Sequence, residues 1–502
     1  MVYSLPAFIS LLATFVALKN SLFSLGTQKL VEDEPYGSAR LCSAQEAISK
    51  NDKNGLPIGR ILSSVKGDDV NLIKKIKTSK VGEIFRYKPI HSFIIAPTRA
   101  GKGVGFIVPT LLDYDGPIIC IDPKSAENFA ITARRRRKNG TRQVHVFDTC
   151  DLTGQETACL NIFDFIDLNN PKVVDTIKGI SAYLSPEIGD QKDKYWQRGA
   201  QRILTCLIIH VASLPKEQQS LSTVLDLLST PYKELWTAFQ NIYENTELAG
   251  GAASRAAAKA LSTDKKEISY KISSARDALD WLDSPAYRHM TSSTSFKMED
   301  VFENKADIFF CIPVDEIISH GHYFIKLAIS LLVKEMTSLK HPPKENVLFL
   351  LDEMAAIGQI REVNSILLTG AGYKISLIGV AQSIEALQTV YPQDIKTMLS
   401  SSLLLFLGIT NVEDREYVSR YLGYKTTFTE SDATNEKDSQ SNVGHTKSAV
   451  KREVLNPDEV LGLGSEFLIA IAQGLKPLVL KRLSYYLEKE FKGSFDESKF
   501  NV

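Results

Sequence analysis

The stretch that decides the fold is His91–Leu112, HSFIIAPTRAGKGVGFIVPTLL. Residues 91–96 form a short apolar run of the kind a buried strand makes, and Gly103–Leu112 reads as a helix. Between them lies APTRAGKG, 96–103. A phosphate-binding loop needs these three parts: a strand that fixes its start, glycines that let the backbone close on an anion, and a helix whose first amides point at it. The residues expected to hold nucleotide are Ala96, Pro97, Thr98, Arg99, Ala100, Gly101, Lys102, Gly103 and Val104. Gly101 gives the close approach, and Lys102 reaches the β- and γ-phosphates. Two positions depart from GxxxxGK[ST]. Ala96 replaces the first glycine, a mild change if its backbone stays in an allowed region. Gly103 replaces the magnesium-binding hydroxyl, so one Mg²⁺ ligand must come from water or another side chain. ATP and Mg²⁺ are the cofactors this loop implies. A glycine-rich turn carrying a surface lysine is the bland alternative, and the flanking strand and helix argue against it.

The strand–helix grammar continues outward. Residues 117–121 (PIICI) and 143–147 (QVHVF) read as buried strands ending at Asp122 and Asp148. Later strands are 308–312, 347–351, 375–380 and 403–407, with helices at 323–338, 360–368 and 414–421 between them. A hairpin-like pair, 466–472 and 478–483, closes the chain. Short apolar strands alternating with helices predict a largely parallel sheet covered on both faces. Ligands bind at the C-terminal edge of such sheets. There VLFLLDE (347–353) would present Asp352 to Mg²⁺ through water, and Glu353 as the general base that activates the attacking water. Gln382, after the next strand, sits where a glutamine senses the γ-phosphate. Asp122-Pro123-Lys124 is either a group near the nucleotide or a strand-terminating turn.

Around this core the chain is long and uncharged overall. Its 502 residues, 44% hydrophobic, exceed one ordinary core. Lys+Arg and Asp+Glu are equal at 59 each, which excludes a surface that is basic throughout but not a local basic channel. The six cysteines form no CxxC pair and read as reduced thiols, mostly buried. From about 167 to 292 the runs are helix-like and rich in Ala, Leu, Lys, Glu and Gln, which predicts an all-α insertion. Trp196 reads as a packing residue of that insertion. Residues 134–138, RRRRK, complement a helix C-terminus, reading as a solvated helix end or, alternatively, as a contact for DNA phosphates. The polar stretch 428–450 reads as a mobile loop. Residues 2–18 carry no charge, at the short limit of a membrane span of roughly 17–25 residues. A core helix is the alternative. The cations Lys19, Lys29 and Arg40 follow the run, which would put the bulk of the chain on the cytoplasmic side.

Taken together, APTRAGKGVGFIVPTLL, IDPKSAE, LLDEMAAIGQI and IGVAQS resemble the type IV secretion coupling-protein ATPases (TraG/TraD-like, related to the FtsK and HerA motors). PYGSAR (35–40), KYWQRGAQRIL (194–204), EYVSRYLG (416–423), PDEVLGLGSEFLIA (457–470) and the KRLSYY run fit the same family, in family order. The resemblance implies RecA-like motors, anchored in the inner membrane and assembled as homo-hexamers. They deliver DNA with its relaxase, or effector proteins, to the components of a secretion channel. It implies that glycine at 103 is tolerated. Members usually carry two membrane helices and this chain has room for one, so a truncated or late start at Met1 is an expectation. A trans-acting arginine has two candidates, Arg361 and Arg415. The expected organisation is a membrane anchor over 1–26, a linker and first part of the nucleotide-binding domain over 27–85, that domain over 86–166 and 293–490, the all-α insertion over 167–292, and a tail over 491–502. Two other functions compete: a nucleotide-gated substrate receptor with little hydrolysis, and a DNA translocase of the chromosome-segregation type.

Overall fold

The computed structural model describes residues 35–63, 65, 72–187, 189–434 and 443–498. The apolar segment 2–18 lies outside them, and no helix among the described residues is long and apolar enough to cross a membrane. Thirteen strands are described: β1 (Leu56–Leu62), β2 (Val81–Tyr87), β3 (His91–Ile95), β4 (Ile118–Ile121), β5 (Gln143–Asp148), β6 (Ala306–Cys311), β7 (Val347–Leu351), β8 (Ile375–Ala381), β9 (Leu403–Leu407), β10 (Tyr424–Thr434), β11 (Val443–Glu453), β12 (Phe467–Ala472) and β13 (Leu478–Lys481).

Eleven of them form one sheet in the order β2-β1-β13-β12-β9-β3-β8-β7-β4-β6-β5. From β9 to β5 every pairing is parallel. Helical crossovers join these strands, as parallel pairing requires. From β9 outward to β2 every pairing is antiparallel. β3, β7, β8 and β9 are buried along their whole length, which is why β7 and β9 read as unbroken apolar runs and β3 and β8 as mainly apolar ones. Successive side chains of β3 point to opposite faces. Ile94 packs with Phe106, Ile107 and Leu111 of the loop helix. Phe93 and Ile95 join the opposite core, which continues into the helices between β5 and β6, through Leu204, Leu207 and Phe239. Among the described residues that interval holds no strand, and its longest helix is Gln191–Ala212.

Three features differ from the sequence reading. β1 and β2, which the sequence did not single out as strands, fall at 56–87, mostly in the stretch read as a linker and first part of the nucleotide-binding domain, and extend the sheet's antiparallel edge. Residues 428–434 and 443–450 of the stretch read as a mobile loop lie instead in two paired strands, β10 and β11, antiparallel from Tyr424↔Glu453 to Thr434↔Val443, and 435–442 fall outside the described residues. The third concerns the basic run. Arg136 is buried, not solvated, at 2% exposed. Its Nε and Nη2 donate to Asp307 at 2.8 Å each, and it donates further to the carbonyls of Gly116 at 2.7 Å and Tyr114. Arg134, by contrast, holds an exposed pair with Asp496. Breaking a buried pair leaves its partner charge uncompensated, and Arg142 can only partly replace it at 3.5 Å. Arg136→Ala is therefore expected to cost about 3 kcal/mol in urea unfolding, and Arg134→Ala under about 0.5 kcal/mol.

His91 opens β3, where its Nδ1 accepts from the Leu377 N–H at 3.2 Å. Burial pushes its pKa down to about 4. The unfolded chain binds this proton below about 6.5, so between these values protonation favours unfolding. Stability present above pH 6.5 is lost as pH falls toward 4. In thermal melts over that range, His91→Gln is expected to flatten the decline.

Candidate nucleotide-binding site

The loop leaves β3 at the sheet's C-terminal edge. Ala96 N–H donates to Ala381 O at 2.9 Å, tying the loop's start to the end of β8. Ala96 is not among the residues with positive φ, so the missing first glycine carries no backbone strain. The left-handed positions are Arg99 (φ 66°) and Gly101 (φ 86°). Ala100 N–H donates to Pro97 O at 3.1 Å, closing the turn. Gly103–Ile107 is a wide π-helical turn that continues into the α-helix Val108–Asp113. Such turns recur at functional sites.

Strand adjacency assembles the rest. β8 and β7 are the neighbours of β3 on one side, so Gln382, Asp352 and Glu353 emerge beside the loop. Lys102, only 4% exposed, is central. Its Nζ lies 3.2 Å from Asp352 Oδ1 and is hydrogen-bonded to Glu353 Oε1. Gln382 Nε2 donates to Glu353 Oε2 at 3.3 Å. The four side chains singled out for chemistry thus form one connected cluster. Glu353 adopts a left-handed conformation (φ 57°, ψ 46°), which costs a non-glycine residue about 1 kcal/mol and is characteristic of functional sites.

Asp352 is fully buried, and its Oδ2 makes no hydrogen bond among the described residues. An orphaned carboxylate oxygen of this kind fits a cation or that cation's hydration water. Among the described residues no group of three or more His, Cys, Asp or Glu side chains could hold a metal alone. Mg²⁺ at Asp352 would therefore draw its other oxygens from phosphate and water.

The DPK turn divides between its two readings. Asp122 accepts from Phe129 N–H at 2.8 Å and from Asn128 Nδ2 at 3.2 Å, which makes it a structural cap. Burial pushes its pKa up to about 7, with the nearby Asp352 charge adding to the rise. Lys124, the last residue of that turn, brings its Nζ to 4.0 Å from Asp352 Oδ2. Arg361 stacks on the Tyr183 ring at 5.4 Å, and Arg415 pairs with Asp458 at 3.5 Å. A Cβ at Gly103 would meet nothing within 4 Å. Gly103→Thr is therefore expected to fold, with stability within about 0.5 kcal/mol of the parent. It should tighten Mg²⁺-dependent nucleotide binding, measured by titration with and without Mg²⁺.

The family model for type IV secretory system conjugative DNA transfer matches residues 49–501. The chain belongs to that family. Among curated members, VirD4 of Rhizobium radiobacter is 26% identical over 416 residues, covering 81% of this chain and 58% of the relative. TraG of Agrobacterium fabrum (strain C58 / ATCC 33970) is 24% identical, covering 82% and 62%. The chain thus spans about six-tenths of the length of these relatives. The fold is also that of a solved coupling protein of the conjugative type. The unbound monoclinic form of TrwBdeltaN70 superposes with a TM-score of 0.64 at 16% identity, covering 94% of this chain and 100% of that one. TrwB in complex with ADP and Mg²⁺ gives 0.63 at 16% identity, covering 90% and 94%.

Proposed function

We propose that this protein is the ATP-hydrolysing coupling protein of a conjugative type IV secretion system. The observation that carries the reading is the convergence of Lys102, Asp352, Glu353 and Gln382 at the mouth of the loop. The ADP and Mg²⁺ held by the fold neighbour TrwB support ATP and Mg²⁺ as the ligands of this chain. Phosphates entering the loop would meet its amides and compete with Glu353 and Asp352 for the Lys102 ammonium. Glu353, released from that pair, takes a proton from the attacking water, and Gln382 orients that water against the γ-phosphate. Mg²⁺ held at Asp352 would neutralise charge on the β- and γ-oxygens.

In this reading the chain works as a homo-hexamer at the inner membrane, its bulk cytoplasmic. It passes DNA with its relaxase, or effector proteins, to the channel components. The nucleotide-binding domain spans 86–166 and 293–490 and the substrate-facing insertion 167–292. The family match supports the system and its DNA substrate; the anchor and the assembly are extensions of it. Gly103 favours a second reading, a nucleotide-gated receptor that hardly turns over, because the loop brings no hydroxyl to Mg²⁺.

The rate of ATP turnover, plotted against protein concentration with and without DNA, separates the two. A rate that climbs with concentration and with DNA is expected. A flat rate near zero under every condition supports the receptor.

A further inference from the structure

The glycines of the loop differ in what lies against them. Gly103 faces open space, but a Cβ at Gly101 would lie 2.7 Å from Nη1 and 2.8 Å from Cζ of Arg482. One at Gly105 would lie 2.5 Å from Cγ of the same residue. The Arg482 side chain therefore runs along Gly105 and lays its guanidinium on Gly101, in the middle of the phosphate loop. Two backbone contacts fix this approach. Arg482 N–H donates to Glu466 O at 2.8 Å, beyond the end of β13, and Tyr485 N–H donates to Val104 O at 3.4 Å. Nε donates to Ser465 O at 2.7 Å and Nη1 to Leu483 O at 3.3 Å. Among the described residues no group accepts from Nη2, and no carboxylate pairs with the guanidinium.

With no carboxylate to balance it, the guanidinium sets its positive charge against the middle glycine of the loop, an arrangement that suits an anion there. The other loop cation, Lys102, already shares its charge with two carboxylates. We propose that Arg482 is a nucleotide-binding residue acting in cis, its Nη2 edge donating to an oxygen of the phosphate chain. The inference rests on the nucleotide reading of the loop. It also explains a sequence feature: glycine at 105 is the residue that lets the arginine in.

The test is a titration of the full chain with fluorescent ATP and ADP analogues, with thermal melts run in parallel without nucleotide. Arg482→Gln is expected to weaken both nucleotides by about tenfold to a hundredfold, the range for a hydrogen bond to a charged group. The melting temperature should be nearly unchanged. Arg482→Lys keeps the charge but not the fork, and should recover part of the loss. The salt dependence of affinity should be shallower in Arg482→Gln than in the parent. Gly105→Ala supplies a second route, since alanine is the better helix former yet its methyl would displace the arginine. It should weaken binding in the parent and add nothing in the Arg482→Gln background. Parental affinity in Arg482→Gln overturns the proposal and leaves the nucleotide site standing. A loss that lysine does not relieve and that salt does not modulate also overturns it, marking Arg482 as a packing residue. A parent chain that binds neither nucleotide overturns the nucleotide reading itself.

Discussion

Replacing Glu353 by glutamine is expected to lower ATP turnover by about 10²–10⁴-fold, the range for loss of a positioned general base, while nucleotide still binds. Glu353 lies just past the end of β7, and its left-handed backbone belongs to the strand-to-helix turn. Glutamine keeps the size and the hydrogen bond from Gln382 but cannot take a proton. It also removes one of the two carboxylates that hold Lys102, so affinity for ATP should be equal or tighter. Steady-state kinetics with direct binding measures both quantities. A turnover number within threefold of the parent would exclude Glu353 as the base.

Lys102→Ala acts on the other side of the same pair. It removes the cation meant for the β- and γ-phosphates, and affinity should fall by about a hundredfold or more, as expected for losing charge-assisted hydrogen bonds. It also strands Asp352, fully buried, beside Glu353 without its ammonium. Removing one partner of a buried pair costs about 3–5 kcal/mol, an upper bound here because Lys124 stays 4.0 Å from Asp352 Oδ2. The variant should therefore melt earlier than the parent even without nucleotide. Lys102→Ala is expected to lose binding and stability together, whereas Glu353→Gln loses turnover alone. Unchanged ATP binding in Lys102→Ala would sink the site assignment.

How legible these features were in the sequence follows from the physics of each element. The parallel strands β3, β4, β7, β8 and β9 are covered on both faces, so each is a mainly apolar run ending where a loop begins. The order of motifs along the chain then places loop, acidic pair and glutamine on adjacent strands. β2 is different: Val81 and Glu83 are exposed, its burial is partial, and nothing in VGEIFRY distinguishes an edge strand from a linker. The arms of the β10–β11 hairpin mix polar and charged residues with no two-residue apolar alternation, so only their backbone pairing reveals them.

Arg136 shows the limit from another direction. One cation of five is buried because Asp307, 171 positions away, waits at the start of β6. No local pattern could separate it from Arg134. The site shares that limit. Lys102, Glu353 and Gln382 were visible as types at strand ends and Lys124 as part of the DPK turn, but Arg482 reaches the site only because β13 brings it there.

The most direct test is an experimental structure of the chain with Mg²⁺ and a non-hydrolysable ATP analogue. The phosphates are expected on the amides of residues 99–104, with Lys102 Nζ transferred from Glu353 to the β- and γ-oxygens and Mg²⁺ reached from Asp352 Oδ2. An analogue bound elsewhere, or seated in the loop with Lys102 still held by Glu353, would contradict it.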